Sequence, residues 1–303
     1  MGARDGEPLI GGPLSPDQAP AVVRHVSDTA RWVAFYRAME SERPDALFHD
    51  PYARRLAGPE GEAIVNTIPK GRQYAWPMIV RTAVMDEVIL RLIEQEHADL
   101  VINLAAGLDT RPYRLPLPPA VRWIEADLPV MVDYKAERLA GEKAACRLES
   151  VRLDLTDTAA AASLFEYAGA NARQALVIAE GLLVYLTPEQ VTALAHALHT
   201  QITFRWWLMD LGSPRLLAML SRTWGQALGA GGAPLIFGPA EGTAFFEPLG
   251  WREAEYHSVL DASIRLKRTF PFARLMRLLS WLFPQKLRRE FQRLSGVVLL
   301  ERS

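Results

Sequence analysis

The 303-residue chain carries a formal net charge of −1, and half of its residues are hydrophobic. This length and composition suit one large α/β core, while the near-neutral charge argues against a general nucleic-acid binder. The single cysteine, Cys146, excludes an intramolecular disulfide framework and a metal site built from several thiolates, and it favours a cytoplasmic location. We expect no signal peptide and no transmembrane segment.

The first third of the chain is predicted to be helical after a disordered start. Residues 1–20, which are rich in glycine and proline, are expected to be disordered. Helices are predicted over 27–40, 52–57 and 78–96. In the last of these, apolar residues at 80, 84, 88 and 92 recur at helical spacing and would form one buried face.

Strands and helices alternate beyond residue 98, which predicts right-handed βαβ units and a parallel sheet. The predicted strands are 99–104, 121–125, 147–153, 175–179 and 202–210, and the predicted helices are 110–115, 129–140, 158–169 and 188–200. The pattern becomes irregular after Gly212. There we expect a helix and a glycine-rich loop over 213–245, a strand at 251–260, helices over 272–293 broken at Pro284, and a strand at 296–302.

The stretch from Val101 to Pro129 is the most informative part of the chain. An apolar run, VINL, ends in a turn of small residues, AAG at 105–107. A second apolar run then ends in EADLP, with acids at 125 and 127. Adjacent parallel strands that end in this way form a nucleoside crevice, in which small residues expose backbone N–H groups and an acid binds ribose hydroxyls. A nicotinamide-binding loop would need G-x-G-x-x-G, and here only Gly107 is present.

Several motifs in order resemble one family. NLAAGLDTR, EADLP and AEGLLVYLTPEQ resemble the leucine carboxyl methyltransferase family, and more closely its bacterial branch of S-adenosylmethionine-dependent methyltransferases, which includes polyketide carboxyl O-methyltransferases. The segment VSDTARWVAFYRAMESERPDALFHDPYARRLAG is similar to the opening of that branch. The resemblance runs from about Val26 to Leu194.

The resemblance implies an α/β, class I methyltransferase (Rossmann-like) fold. That fold has a seven-stranded, mostly parallel sheet with helices on both faces and one antiparallel strand. Residues 21–303 would then form a single domain. Its parts would be a helical cap at 21–97, a cofactor-binding core at 98–212, a substrate lid with late strands at 213–295, and a last strand at 296–303.

The resemblance also implies which residues bind S-adenosylmethionine. Ala105, Ala106 and Gly107 would lie under the methionine part, although family members often have glycine at the place of Ala105, whose methyl group restricts φ. Arg81 would bind the carboxylate with two hydrogen bonds, with Arg37 and Arg31 as weaker candidates. Each arginine has the alternative of being a solvated surface charge.

The remaining parts of the cofactor would be bound by residues at strand ends. Asp127 would accept hydrogen bonds from the ribose, although Glu125, two residues earlier on the same strand face, permits the same contact. Asp154 and Leu155 would hold the adenine. The alternative for a strand-end acid is a helix N-cap, a role that Asp157 suits better than Asp154.

Three residues are candidates for catalysis. Glu180, after the fourth strand, could stabilise the sulfonium. Tyr185 could orient the acceptor, or be only a half-buried aromatic. His257 is a candidate base that is more simply read as structural. His196 and His199 lie three apart on a predicted helix, but no third ligand accompanies them, so we predict surface residues and no metal site.

We interpret the chain as an O-methyltransferase for a small-molecule carboxylate or hydroxyl, such as a polyketide-like natural product. Methyl transfer by in-line displacement mainly requires that the protein align two reactants. A carboxylate acceptor needs no general base, whereas a phenol does. A protein C-terminal carboxyl methyltransferase and a non-catalytic S-adenosylmethionine-binding protein remain open alternatives.

Partners beyond the small-molecule acceptor are predicted only from the basic stretch at 265–293, which has nine basic residues and one acid. It could contact a membrane surface or an acidic carrier protein. We favour the simpler interpretation that a helix buries its apolar face there and solvates its charges. A homodimer is a further possibility.

Overall fold

The computed structural model describes residues 26–68, 70–230, 234–270, 273, 277 and 284–303. The predicted disorder at 1–20 and much of the predicted helix at 272–293 lie outside these residues. The chain begins with three helices: α1 (Val26–Ser41), α2 (Ala53–Thr67) and α3 (Trp76–Glu94). Helix α2 is longer than predicted because it continues beyond a kink at Gly58, where φ is 62°, and Pro59.

Seven strands follow: β1 (Leu100–Leu104), β2 (Arg122–Asp127), β3 (Arg147–Arg152), β4 (Ala175–Ala179), β5 (Phe204–Gly212), β6 (Trp251–Ser258) and β7 (Ser295–Arg302). They form one sheet in the order β3-β2-β1-β4-β5-β7-β6. Strands β1 to β5 pair in parallel, and β7 runs antiparallel to both of its neighbours. The predicted seven-stranded α/β sheet with one antiparallel member is confirmed.

Helices connect the strands as the alternation predicts: α4 (Arg111–Arg114), α5 (Pro129–Arg138), α6 (Thr158–Ala170), α7 (Pro188–His199), α8 (Pro214–Ala230), α9 (Val259–Arg265) and α10 (Gln285–Gln292). Local signals set several of their ends. Asp157 caps α6 by accepting from the Ala160 N–H, and Thr187 and Gln190 form a reciprocal capping box on α7. Strand β6 ends at Ser258, two residues earlier than predicted, because Ser258 caps α9.

Hydrophobic side chains cover both faces of the sheet. The central strands β1 and β4 are buried along their whole length, as expected for parallel strands between two layers of helices. One face packs against α6 and α7, with Trp207 in edge-to-face contact with both Phe246 and Trp251. The opposite face packs against α3 around Trp123. The strands that present side chains at their carboxyl ends therefore belong to a sheet packed on both faces.

Trp251 is a test of this packing. Its ring is fully buried against Trp207 and His199, and its indole N–H donates to the Ala195 carbonyl of α7 at 3.1 Å. We expect Trp251→Ala to lower the free energy of unfolding by about 3–5 kcal/mol because it leaves a cavity and an unpaired carbonyl. Ile202→Ala, at a side chain that is 82% exposed, should change it by less than about 0.5 kcal/mol. Urea unfolding measures both, and equal losses would contradict this packing.

Candidate active site

A cavity of about 450 Å³ lies at the carboxyl ends of β1, β2, β4 and β5. Helices α1, α3 and α8 contribute the remaining walls. The chain leaves β1 toward β2 on one side, and β4 lies on the other side of β1. Such a reversal of strand order opens a crevice in doubly wound sheets, and the volume falls within the range of small-molecule sites.

The turn after β1 forms the floor of this cavity. Asp127, the last residue of β2, accepts from the Gly107 N–H at 2.5 Å and from the Leu128 N–H at 2.7 Å. Burial raises the pKa of Asp127, and these two N–H groups oppose that effect. Ala105 and Gly107 both have positive φ, 50° and 53°. The non-glycine Ala105 therefore holds a strained backbone conformation that costs about 1–3 kcal/mol.

Glu125, the alternative ribose acid, does not line the cavity. It points under α5, where both carboxylate oxygens accept from the Lys135 ammonium at 2.7 Å, and both side chains are buried. Because Lys135 binds both oxygens of Glu125 and Glu125 lies outside the cavity lining, this carboxylate cannot contact a ribose in the cavity. Asp127 remains the candidate for the ribose because it is the acid at the strand end itself.

Arg81 projects from α3 into the cavity and joins two strand ends. Its Nε donates to Glu180 Oε1 at 2.9 Å, and its Nη1 donates to Asp210 Oδ2 at 3.1 Å. Asp210 Oδ1 in turn accepts from the Gly181 N–H at 2.5 Å. The structure thus brings the predicted residues Arg81 and Glu180 together, and it adds Asp210, near the end of β5.

A second guanidinium, Arg111 of α4, binds the other side of Glu180. Its Nη1 donates to Glu180 Oε2 and to Asp109 Oδ2, both at 2.7 Å, and its Nε donates to Asp86 Oδ1 at 2.6 Å. Arg114 also pairs with Asp86, at 2.7 Å. We call these seven residues the ion cluster: Arg81, Arg111, Arg114, Asp86, Asp109, Glu180 and Asp210. Three guanidinium groups and four carboxylates give it a formal charge of −1.

Sequence reasoning missed five members of the ion cluster. Two signals pointed to them. The motif LDTRPYR places Asp109, Arg111 and Arg114 directly after a strand, and the predicted strand 202–210 ends on Asp210. Neither signal predicts burial, because charged residues near strand ends usually lie in solvent, whereas Arg111 is only 1% exposed.

The ion cluster changes the acidity of its carboxyl groups. Burial alone would raise the pKa of Glu180, but the guanidinium groups of Arg111 and Arg81 outweigh burial and hold that pKa below its usual value. Asp109 responds in the same way to Arg111, and its pKa lies far below the usual range. Both groups are therefore carboxylates at neutral pH, and Glu180 is a poor proton acceptor.

The other predicted binding residues line the same cavity: Ala105, Ala106, Gly107, Asp154, Leu155, Tyr185 and Arg37. Asp154 accepts from the backbone and hydroxyl of Thr156. Burial raises the pKa of the Tyr185 phenol. Arg37 is held by Asp50 at 2.8 Å and donates to the Leu108 carbonyl at 2.5 Å, so it supports the turn after β1.

The predicted His257 lies in a separate cleft, because β6 is the far edge of the sheet. Its Nε2 is 2.9 Å from Glu255 Oε2. Arg31 also lies outside the cavity lining, where it pairs with Glu60 at 3.4 Å. His196 is exposed, whereas His199 packs edge-on against Trp251 and is more than a surface residue. The described residues contain no group of three or more His, Cys, Asp or Glu side chains that could hold a metal ion.

Several described basic residues of the stretch 265–293 form ion pairs within the chain. Arg265 pairs with Glu87 at 2.7 Å, and Arg268 is buried against Glu40 at 2.9 Å. Arg293 pairs with Glu253 at 2.6 Å. Among the residues that the structure describes, no helix combines the length and apolar composition that a membrane crossing needs.

Comparison with known proteins decides the family. The model of the leucine carboxyl methyltransferase family matches residues 30–199, which contain the floor turn, Asp127, Arg81 and Glu180. This chain belongs to that family. A Mycobacterium sp. (strain KMS) protein named "Putative S-adenosyl-L-methionine-dependent methyltransferase" is 31% identical over 274 residues, which cover 82% of this chain and 90% of that protein.

Another relative and a solved structure are also similar to this leucine carboxyl methyltransferase family member. A Parafrankia sp. protein that is also named a putative S-adenosyl-L-methionine-dependent methyltransferase is 35% identical over 179 residues, 56% of this chain. The chain spans only 57% of the length of that relative. The crystal structure of a DUF574 family protein from Streptomyces avermitilis has a TM-score of 0.59 at 13% identity, covering 91% of this chain and 97% of that one, and shows a shared fold.

The lowered pKa of Glu180 gives a pH-dependent prediction. Because the pKa is lower in the folded chain than its ordinary value of 4.5, the stability that Glu180 contributes is present above that pH and is lost as the pH falls toward the folded-state value. We expect Glu180→Gln to lower the free energy of unfolding by about 3 kcal/mol at neutral pH. The difference from the wild type should shrink below pH 4.5, because a protonated glutamate resembles glutamine.

Unfolding of the wild type and of Glu180→Gln in guanidinium chloride, between roughly pH 3 and pH 7, measures the difference in their free energies of unfolding. Comparing the two proteins at each pH cancels the contributions of Glu125 and Asp127, whose pKa values are raised. A difference that does not change with pH would contradict the assignment.

The buried pair of Lys135 and Glu125 gives a second prediction. Lys135→Met should lower the free energy of unfolding by about 3–5 kcal/mol, because it leaves the buried Glu125 carboxylate without its cation. The double variant Lys135→Met/Glu125→Met should recover most of this loss, since apolar replacements of a buried pair are often neutral. Chemical denaturation checks both variants, and a double variant as unstable as the single one would contradict the pairing.

Proposed function

We propose that this protein is an S-adenosylmethionine-dependent O-methyltransferase whose acceptor is a small-molecule carboxylate or hydroxyl. The observation that carries the proposal is the convergence of the Gly107 turn, Asp127, Arg81 and Glu180 on one cavity at the reversal of strand order. Membership of the leucine carboxyl methyltransferase family supports methyl transfer, and the names of its relatives support the cofactor.

The chemistry of the lining residues fits this cofactor. Asp127 would accept from the ribose hydroxyls, and Asp154 with Leu155 would hold the adenine. Arg81 and Arg111 would bind the carboxylate of the methionine part. Arg111 lines the cavity, and its buried Nη2 has no hydrogen-bond partner among the described residues, so the ion cluster keeps a free donor. Its formal charge of −1 complements the two cationic groups of the cofactor, the ammonium and the sulfonium.

When bound, S-adenosylmethionine supplies a methyl group on a positively charged sulfur. The chain has to orient both reactants and exclude water, since displacement in line needs alignment more than it needs reactive side chains. Glu180, fixed by two guanidinium groups, presents a permanent negative charge beside the crevice. Residues of α8 and of the segment 234–237 line the cavity, which supports the proposed lid role for 213–245.

Binding of the demethylated product, S-adenosylhomocysteine, tests the proposal. Asp127→Asn should weaken this binding by about 10- to 100-fold, because hydrogen bonds to charged groups contribute about 1.5–3 kcal/mol. Asp133→Asn, at an exposed aspartate on α5, is the matched control and should leave it unchanged. Isothermal calorimetry measures both, and an unaffected Asp127→Asn variant would refute the cofactor assignment.

A turnover assay then separates an enzyme from a binding protein. Methyl transfer from labelled S-adenosylmethionine to any member of a panel of carboxylate and hydroxyl acceptors is the expected result. Binding without transfer to the whole panel would remove the enzymatic part of the proposal. The homodimer and the carrier or membrane contact of 265–293 remain predictions that this assay does not address.

A further inference from the structure

The cavity has a second half that the cofactor contacts leave unexplained. The half that would take the cofactor lies at the ends of β1, β2 and β3, and it carries the floor turn, Asp127 and Asp154. The lining residues that follow Gly181 in the chain are mostly apolar. Those from β5, α8 and the following segment are Leu211, Leu216, Leu217, Leu220, Leu235 and Phe237. An acceptor that fills this half therefore has an apolar body.

Asp210 is the only charged residue among the described lining residues that follow Glu180 in the chain. Its side chain is 23% exposed, compared with 15% for Glu180, 12% for Asp109 and 10% for Asp86. It is thus the most accessible carboxylate of the ion cluster. Its two oxygens accept from the Arg81 guanidinium and the Gly181 N–H, and each has a further lone pair for a ligand.

The other candidate bases do not serve an acceptor in this half. Glu180 is bound by two guanidinium groups that hold its pKa low. Burial raises the pKa of Tyr185, so its phenol stays protonated at neutral pH and does not act as a base. His257 lies in a separate cleft at the edge of the sheet. Asp210 differs from Glu180 because a single guanidinium binds it, and it is the most exposed carboxylate of the ion cluster.

A carboxylate acceptor would meet unfavourable charge here. It would enter an apolar chamber beside Asp210. The guanidinium that neighbours Asp210, Arg81, pairs with two carboxylates of the chain, and in the proposed function its remaining donors bind the carboxylate of the cofactor. Burying a second negative charge next to the first, without its own cation, is costly. A neutral hydroxyl has no such cost, and it can donate its hydrogen to Asp210.

We propose that the acceptor is an apolar molecule that carries a phenolic or enolic hydroxyl, and that Asp210 binds this hydroxyl and takes its proton. This inference rests on the proposed function and decides between its two acceptor types. As the acceptor oxygen bonds to the methyl carbon, the carbon–sulfur bond breaks and its electron pair stays on sulfur. The hydroxyl proton passes to the Asp210 carboxylate and then to solvent, so that charge and atoms balance.

Matched pairs of ligands test the proposal by binding as well as by turnover. Each pair shares one apolar body and differs in the group it presents, for example 2-naphthol with 2-naphthoic acid and a tricyclic pair of the same kind. At neutral pH the first member is neutral and the second is ionised. In calorimetry with saturating S-adenosylhomocysteine, we expect the hydroxyl member to bind the wild type at least tenfold more tightly.

Asp210→Asn should reverse this preference. Removing the negative charge is expected to strengthen carboxylate binding and weaken hydroxyl binding. It should also lower kcat for any methylated hydroxyl by about 100-fold or more, the usual contribution of a general base. A purely structural effect would weaken both members alike, so the ratio between them is the decisive quantity. Asp133→Asn is the matched control and should leave the ratio unchanged.

Tighter binding of carboxylates to the wild type, an unchanged ratio in Asp210→Asn, or no binding by either member of every pair would each overturn the proposal. Binding of S-adenosylhomocysteine, measured separately, reports on the proposed function itself. If the wild type does not bind S-adenosylhomocysteine, the proposed methyltransferase function is refuted. If it binds S-adenosylhomocysteine but prefers carboxylates, only the role of Asp210 is refuted.

Discussion

The buried ion cluster is the interaction on which the rest of the site depends. Arg81 and Arg111 join α3, the turn after β1, the end of β4 and the end of β5. These four segments come from different parts of the chain. Three guanidinium groups and four carboxylates can leave water together only because each charge meets an opposite charge within about 3 Å. Removing any one member leaves the others uncompensated. The geometry of the crevice and the stability of the fold are therefore set by the same contacts.

Periodicity was sufficient to predict most of the fold. The central strands are apolar along their whole length, and the helices between them begin at strong local signals such as Asp157 and the Thr187–Gln190 capping box. The prediction was wrong where a local signal has two meanings. Gly58-Pro59 suggests the end of a helix, yet the helix resumes beyond the kink because its apolar side chains pack against α1.

Site residues were predictable from the sequence only where they belong to a recognisable motif. The turn at Gly107, Asp127, Arg81 and Glu180 were named from sequence, and the structure gathers them around one cavity. The family resemblance favoured Asp127 over Glu125, but strand geometry permitted both. The contact that separates them comes from Lys135 of the next helix, which binds only Glu125. The local signals for Arg111 and Asp210, a motif after one strand and the end of another, do not distinguish a buried charge from an exposed one. Their roles arise from burial and from partners that lie far away in the chain.

That separation along the chain has a kinetic consequence. Arg81 lies 99 residues from Glu180 and 129 residues from Asp210, so the contacts that shape the crevice close very large loops. Contacts of such long range form late, after the local helices and strand pairs. We therefore expect the crevice to be among the last parts of the molecule to assemble. A ligand that binds there would act mainly by slowing unfolding, because the transition state for folding does not yet contain its site.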